Sequence, residues 1–254
     1  MGRLDGKVAV ITGGAGLIGA TAAELFVSEG ASVMLTDRDE GPLRDVARRI
    51  GSRASVVAAD VTRPADVRRA FEAATAQHGG FDVLLLNAGV EGVIHPIPEY
   101  PLDTFRQVMD VNVLGVLLGL QLGMPILQAR GGGSVVISSS IAGLKGFAGA
   151  AAYVTSKHAV IGLMRVAAIE GAAHGIRVNT VNPAPIEGRM IRSLEEGLAP
   201  GAPDQARQGL LGMIPFKRYG AAAEVARLML FLASDEARYC TGAVYPVDGG
   251  MSAG

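Results

Sequence analysis

Seven short, almost wholly apolar runs, separated by six helical patterns, restrict what this chain can fold into. The runs are KVAVIT (7–12), SVMLT (32–36), ASVVAA (54–59), DVLLLN (82–87), SVVISS (134–139), IRVNTVN (176–182) and AVYPV (243–247). They are rich in β-branched residues and lack the polar alternation of a half-exposed strand. Strands covered on both faces read this way. Helical patterns lie at about 17–29, 41–50, 64–78, 102–129, 153–173 and 221–233. A repeated strand-then-helix order predicts an α/β fold, a doubly wound parallel seven-stranded sheet with helices on both faces. Right-handed crossovers then set the winding. No composition shift, linker or internal repeat divides residues 1–254, so one domain is expected. Residues 187–219 are the loosest stretch, punctuated by Gly188, Gly197, Pro200, Gly201, Pro203, Gly209, Gly212 and Pro215. They follow a strand's carboxyl end, where ligands of open α/β sheets bind, and are expected to form an irregular, mobile substrate lid.

The first strand runs into TGGAGLIG (12–19), and a second strand ends at Asp37. Together they read as a βαβ dinucleotide-binding unit of a Rossmann-type three-layer sandwich. Gly13 permits a tight turn. Gly16, Leu17, Ile18 and Gly19 then bring backbone N–H groups and a helix N-terminus to a pyrophosphate. Asp37 can accept hydrogen bonds from an adenosine ribose 2′-OH, and its charge would repel a 2′-phosphate. NAD is therefore expected rather than NADP. Arg38 opposes this, since a guanidinium there could pair with a 2′-phosphate, but no Lys or Arg lies in the glycine turn.

The remaining composition mainly excludes. A net charge of −1 gives no electrostatic case for nucleic acid or an anionic membrane. Arg44, Arg48 and Arg49 read as a solvated helix face. Cys240 is the only cysteine, so no intrachain disulfide can form, in keeping with a reducing cytoplasm. His78, His95, His158 and His174 show no metal spacing, and no metal is expected. The N-terminus enters a strand without a signal-like leader. Gly2 lacks the Ser or Thr at position 6 that myristoylation wants. The apolar stretch 108–127 is interrupted by Asp110, Asn112 and Gln121, and reads as a buried helix rather than a membrane span.

Beyond the glycine turn, four further stretches occur in order: NAG (87–89), SSSIAG (138–143), YVTSK (153–157) and TGAVYPVDGG (241–250). With them the chain resembles the short-chain dehydrogenase/reductase family, in its short single-domain branch, from about Leu4 to Gly250. That branch usually writes its turn T-G-x-x-x-G-x-G, with glycine where Leu17 stands. The T-G-x-x-G-x-x-G found here is similar to the longer, epimerase-like branch. The resemblance implies that Asp60 and Val61 hold the adenine edge, and that Asn87, Ala88 and Gly89 lie along the adenosine. Asp60 also reads as a helix N-cap. After the sixth strand the family often shows P-G-x-I-x-T, and this chain has PAPIEGR (183–189). Pro183 and Ile186 keep their places at the nicotinamide end. Ala184 replaces glycine and Gly188 replaces threonine, and loss of that hydroxyl is expected to loosen the lid.

Tyr153 and Lys157 are four apart, on one helix face. A free tyrosine has a pKa of about 10, and a nearby ammonium and a positive nicotinamide both favour phenolate. Such a tyrosine can act as general acid/base on a substrate alcohol while the hydride passes to the cofactor. The resemblance adds a second task for Lys157, hydrogen bonds to the nicotinamide ribose. Of three adjacent serines, Ser140 lies 13 residues before Tyr153 and opens S-I-A-G, as the family's catalytic serine does. Its hydroxyl would steady the substrate oxygen; Ser139 is the rival. Asn112, in MDVNVLG, resembles the fourth member of the site, which supports a proton-relaying water chain in the family. Its alternative is a satisfied core amide.

The substrate pocket is expected from 89–100 and 187–215, both largely apolar, with Glu91 and Glu187 as available polar groups. A small-molecule substrate is implied, an apolar secondary alcohol or its ketone, cyclic or aromatic. The helix after Tyr153 carries Val160, Ile161, Leu163, Met164, Val166 and Ile169. It is buried either within the monomer or in a homo-oligomer, a tetramer by the family's habit. Two other readings stay open: an NADPH-dependent ketoreductase of the 3-oxoacyl-carrier type, and a non-catalytic dinucleotide-binding regulator.

Overall fold

The computed structural model describes residues 2–253. Seven strands, β1 (Val8–Thr12), β2 (Ser32–Asp37), β3 (Ala54–Ala58), β4 (Val83–Leu86), β5 (Gly133–Ser138), β6 (Ile176–Pro183) and β7 (Val244–Val247), form one sheet. All pairs are parallel, in the order β3-β2-β1-β4-β5-β6-β7. The chain winds outward from β1 to β3, returns to β4 beside β1, and winds outward again to β7. The direction of winding reverses between β1 and β4, and a crevice opens there at the strands' carboxyl ends.

Successive residues of one strand serve two cores. Val8 and Val10 of β1 join Leu84, Leu86, Val135 and Ile137 on one face. That core is covered by α3 (Pro64–His78), α5 (Gly115–Ala129) and α6 (Ala151–Ala172). Ala9 and Ile11 join Val33, Leu35, Val83 and Leu85 on the other face. Here the cover is α1 (Leu17–Ser28), α2 (Glu40–Ile50) and α9 (Ala222–Ala233). Two buried faces are why these strands show no polar alternation.

Three expected elements differ. Residues 102–129 do not make one regular helix. α4 (Leu102–Met109) passes through a π-helical turn, Asp110–Leu114, into α5. This stretch has the length and composition of a membrane span, but α5 lies against the sheet. A Cβ at Gly119 or Gly123 would stand 2.4 Å or 2.5 Å from the Leu86 or Leu84 side chain. Helix α6 starts two residues earlier than expected, which puts Tyr153 in its first turn. The 187–219 segment is not irregular. It contains α7 (Arg189–Leu198) and α8 (Pro203–Met213), with Pro203 at the helix start, where its missing N–H costs nothing. Ile191 and Leu210 pack with Ile141, Ile214, Tyr219 and Met251 in a small third core beneath these helices.

Candidate active site

The crevice is a cavity of about 1480 Å³ at the switch point, running from Asp37 and Asp60 at one end to α7 and α8 at the other. Its first wall is the glycine turn. Gly13 has φ +66°, and a Cβ there would sit 2.9 Å from the Ala88 backbone. Asn87 pins the turn: its Nδ2 donates to the Thr12 and Gly13 carbonyls at 3.3 Å, and its Oδ1 accepts from Ser138 Oγ at 2.9 Å. The Asn87 and Ala88 N–H groups both donate to Thr12 Oγ1. Gly16, Leu17 and Ile18 line the cavity at the start of α1, which no side chain caps and which carries no acidic residue in its first turn. A side-chain-free turn with an uncapped helix N-terminus fits a dinucleotide diphosphate. Gly19 does not line the cavity. A Cβ there would meet the Gly13 carbonyl oxygen at 2.2 Å, so its task is to let helix and turn pack together.

Asp37 stands where β2 ends, its Oδ2 accepting from the Ala15 N–H at 3.1 Å and its Oδ1 from the Arg38 N–H at 2.8 Å. The Arg38 guanidinium faces solvent, 3.6 Å from Asp39. Asp60 and Val61 also line this end. Asp60 is not the N-cap of α3; Arg63 holds that position. The Asp60 carboxylate instead folds its own turn, accepting from the Thr62 N–H and hydroxyl at 2.9 and 2.7 Å.

Midway along the cavity, Tyr153, Lys157 and Ser140 come together. The Ser140 hydroxyl lies close enough to the Tyr153 phenol to favour its ionised form, while its Oγ donates to the Pro183 carbonyl at 3.4 Å and accepts from the Ala142 N–H at 3.1 Å. Lys157 Nζ lies 5.5 Å from the Tyr153 ring centroid and donates to the Ser138 carbonyl at 2.8 Å. Each of the three serines has its own task. Ser138 Oγ holds Asn87, Ser139 Oγ donates to the Lys157 carbonyl at 2.9 Å, and Ser140 faces the phenol. Its rival Ser139 is committed to α6. A phenol, a hydroxyl and an ammonium so arranged can hold an oxygen atom and move a proton at it.

Asn112 is 1% exposed and does not line the cavity. The π-helical turn aims it inward, where Oδ1 accepts from the Val90 N–H at 2.8 Å and Nδ2 donates to the Val90 carbonyl and to Ser156 Oγ, each at 2.9 Å. Ser156 Oγ in turn donates to the Tyr153 carbonyl at 2.8 Å. Asn112 thus clamps the segment after β4 and, through Ser156, the first turn of α6. Ser156 was missed by sequence reasoning, because only a contact 44 positions away in the chain reveals its place.

The expected lowering of the Tyr153 pKa is reversed by the chain's own groups. Burial raises it most, the Ser140 hydroxyl pulls it down, and the Glu91 charge pushes it up. Burial also brings Lys157 down to about 8, which weakens its charge above neutral pH. Glu91 and Glu187 are not available polar groups. Glu91, 8% exposed, receives Arg189 Nη1 at 3.0 Å, and Glu187 pairs with Arg207 at 2.8 Å.

Pro183 and Ile186 sit between the two halves of the cavity, and Ile186 bridges to Gly220. The far end is apolar, lined by Ile94, Met190, Leu194, Leu198, Leu210 and Met213 from the two segments expected to build it. Phe147, from the loop after β5, and Met251, near the C-terminus, complete it and were not foreseen.

Known proteins share this fold. A family model described as enoyl-(acyl carrier protein) reductase matches residues 14–252. Levodione reductase of Leifsonia aquatica is 34% identical, covering 99% of this chain and 96% of its own length. A levodione reductase crystal structure superposes with TM-score 0.96 over 99% of both chains. Cyclohexanol dehydrogenase of Acinetobacter sp. (strain SE19) is 34% identical over 97% of this chain and 95% of its own. An NAD+-bound xylitol dehydrogenase structure, 31% identical, superposes with TM-score 0.92 over 97% of this chain and 99% of its own. The chain therefore belongs to the short-chain dehydrogenase/reductase family, whose members bind a nicotinamide dinucleotide, and it is an oxidoreductase acting on CH–OH groups.

Proposed function

We propose that this enzyme is NAD-dependent and interconverts a small apolar secondary alcohol, cyclic or aromatic, with its ketone, using Tyr153 as general acid/base. The carrying observation is the Tyr153 phenol beside Ser140, one helical turn from Lys157, at the middle of a cavity that has a glycine turn at one end and apolar walls at the other.

The glycine turn and the α1 N-terminus hold the diphosphate; Asp37 takes the adenosine ribose; Asn87–Gly89, Asp60 and Val61 flank the adenosine; Lys157, Pro183 and Ile186 hold the nicotinamide end. Bound there, the dinucleotide supplies a hydride acceptor and a positive charge beside the phenol. Ser140 donates to the substrate oxygen, and Tyr153 takes the hydroxyl proton in oxidation and returns it in reduction. A positive nicotinamide held there would offset the upward push of burial and Glu91 on the phenol. Asn112 serves as a positioning residue through Val90 and Ser156.

The choice of NAD is supported by Asp37 at the ribose position, by the Arg38–Asp39 pair, and by the NAD+-bound state of the xylitol dehydrogenase structure. The apolar substrate is supported by the far end of the cavity and by relatives named for levodione and cyclohexanol. A homotetramer is supported by exposed Leu117, Val166 and Ile169 on α5 and α6, where a second copy would cover them. Helices α7 and α8 serve as the substrate cover.

An NAD-coupled screen of cyclic secondary alcohols, run on wild type and Tyr153→Phe, tests this. Expected is about a thousandfold loss of turnover in Tyr153→Phe, with dinucleotide affinity kept within about threefold. Retained turnover would remove tyrosine from its role, and tighter binding of NADPH than NADH would favour the ketoreductase reading.

A further inference from the structure

Two of the three departures from the family's pattern, Leu17 and Gly188, meet across the cavity. Leu17 opens α1, and Gly188 immediately precedes α7; both line the cavity. Gly188 is not a glycine for conformational reasons. Its backbone is extended, with φ 163° and ψ −170°, which any residue adopts. A Cβ at 188 would stand 2.7 Å from Leu17 Cδ2, so any larger residue there would push the end of the leucine side chain out of its present place. Leu17 is 52% exposed, an apolar side chain left half in water beside an uncapped helix N-terminus. A side chain is gained at 17 where the pattern has glycine, and one is lost at 188 where it has threonine. The two changes complement each other in shape.

We propose that Leu17 and Gly188 form a matched clasp over the diphosphate section of the groove. Leu17 reaches from the glycine turn to the root of the lid, and Gly188 leaves the space that admits it. The leucine excludes water from the diphosphate, where a lower local dielectric strengthens the pull of the α1 N-terminus. Leu17 thereby becomes a determinant of dinucleotide affinity that acts only in company with the lid. This rests on the reading of the cavity as a dinucleotide site.

The test is a double-mutant cycle of Leu17→Gly, Gly188→Thr and the pair, with folding checked by thermal unfolding and Gly188→Ala in reserve. NADH and NADPH binding is titrated by fluorescence without substrate. Amide exchange at residues 188–192 is followed in the dinucleotide-free protein. Each single variant should weaken NADH binding about fivefold, and the pair should stay near the weaker single variant instead of losing about 25-fold. Exchange at 188–192 should speed in Leu17→Gly. Multiplicative losses, or unchanged exchange, would overturn the clasp while leaving the dinucleotide site intact. A wild-type protein that binds neither NADH nor NADPH would overturn the site itself, and the clasp's task with it.

Discussion

The Gly13 turn and the α7–α8 lid face each other across one cavity, yet they are held in different ways. At the turn, the Gly14 N–H donates to the Thr36 carbonyl at 3.0 Å, Asn87 grips two carbonyls, and Asp37 receives the Ala15 N–H. These are short-range, largely buried bonds to backbone, in space that leaves no room for a Cβ. The lid is tied by side-chain pairs: Glu91 with Arg189, Glu187 with Arg207, and Glu195 with the Tyr219 hydroxyl at 2.7 Å. Arg189 and Arg192 are exposed, but Glu91 and Glu195 are buried, and Ile191 and Leu210 set both helices into the third core. One wall is thus fixed through backbone, the other through side chains, which substitution can exchange. A fixed wall suits a ligand shared by many enzymes, and an adjustable one suits a substrate that differs between them.

The sharpest way to break this contrast is Gly13→Ala. With φ at +66° and the Ala88 backbone 2.9 Å from the new Cβ, we expect a loss of about 3 kcal/mol in stability, read by urea unfolding, together with loss of NADH binding. A variant unfolding like wild type would mean that the turn is as pliable as the lid.

Asp37→Ser probes the same wall more gently. Removing the charge should shift the ratio of NADP to NAD dissociation constants about tenfold or more towards NADP. Calorimetric titration with each dinucleotide reads this, and an unchanged ratio would deny Asp37 its discriminating task.

On the adjustable wall, Glu91→Gln should act through charge. Glu91 is one of the groups raising the Tyr153 pKa. Its neutralisation lowers that pKa, so the rise of alcohol oxidation with pH should occur at lower pH, with Arg189 remaining free to face solvent. A profile that moves upward or stays put would contradict this sign.

The smallest effect is expected from Gly209→Ala, inside α8. A Cβ there meets nothing within 4 Å. The substitution should stabilise the helix by about 0.5–1 kcal/mol, visible as slower amide exchange in α8. The same exchange of glycine for alanine would then have opposite signs on the two walls.

The legibility of the chain followed the same division. Strands β1, β2, β4, β5 and β6 were readable because each is buried on both faces, the half-buried edge strands β3 and β7 by their apolar runs alone, and the glycine turn because its geometry is local. Ser140 was legible over Ser139 from its distance to Tyr153 and the S-I-A-G it opens, whereas the bond of Ser139 to the Lys157 carbonyl was not. The lid was misread because its Gly and Pro residues resembled loop punctuation. Pro203 in fact starts α8, and Ile191, Leu194 and Leu198 already carried a helical spacing in α7. The pairing of Glu91 with Arg189 spans 98 positions and leaves no local trace. Nothing in DVNVL marks a π-helical turn, since its cause lies in what Asn112 must reach.

That turn makes the region tolerant of length in a way ordinary helices are not. Asp110–Leu114 carries the extra residue that a regular helix would omit. Deleting one of the five would let a regular helix re-form with α4 and α5 still in phase, whereas the same deletion inside α5 would swing one part of the helix by about 100° against the other. What the deletion would remove is the inward aim of Asn112 at Val90 and Ser156. A single-codon deletion here should therefore spare the fold and cost the clamp.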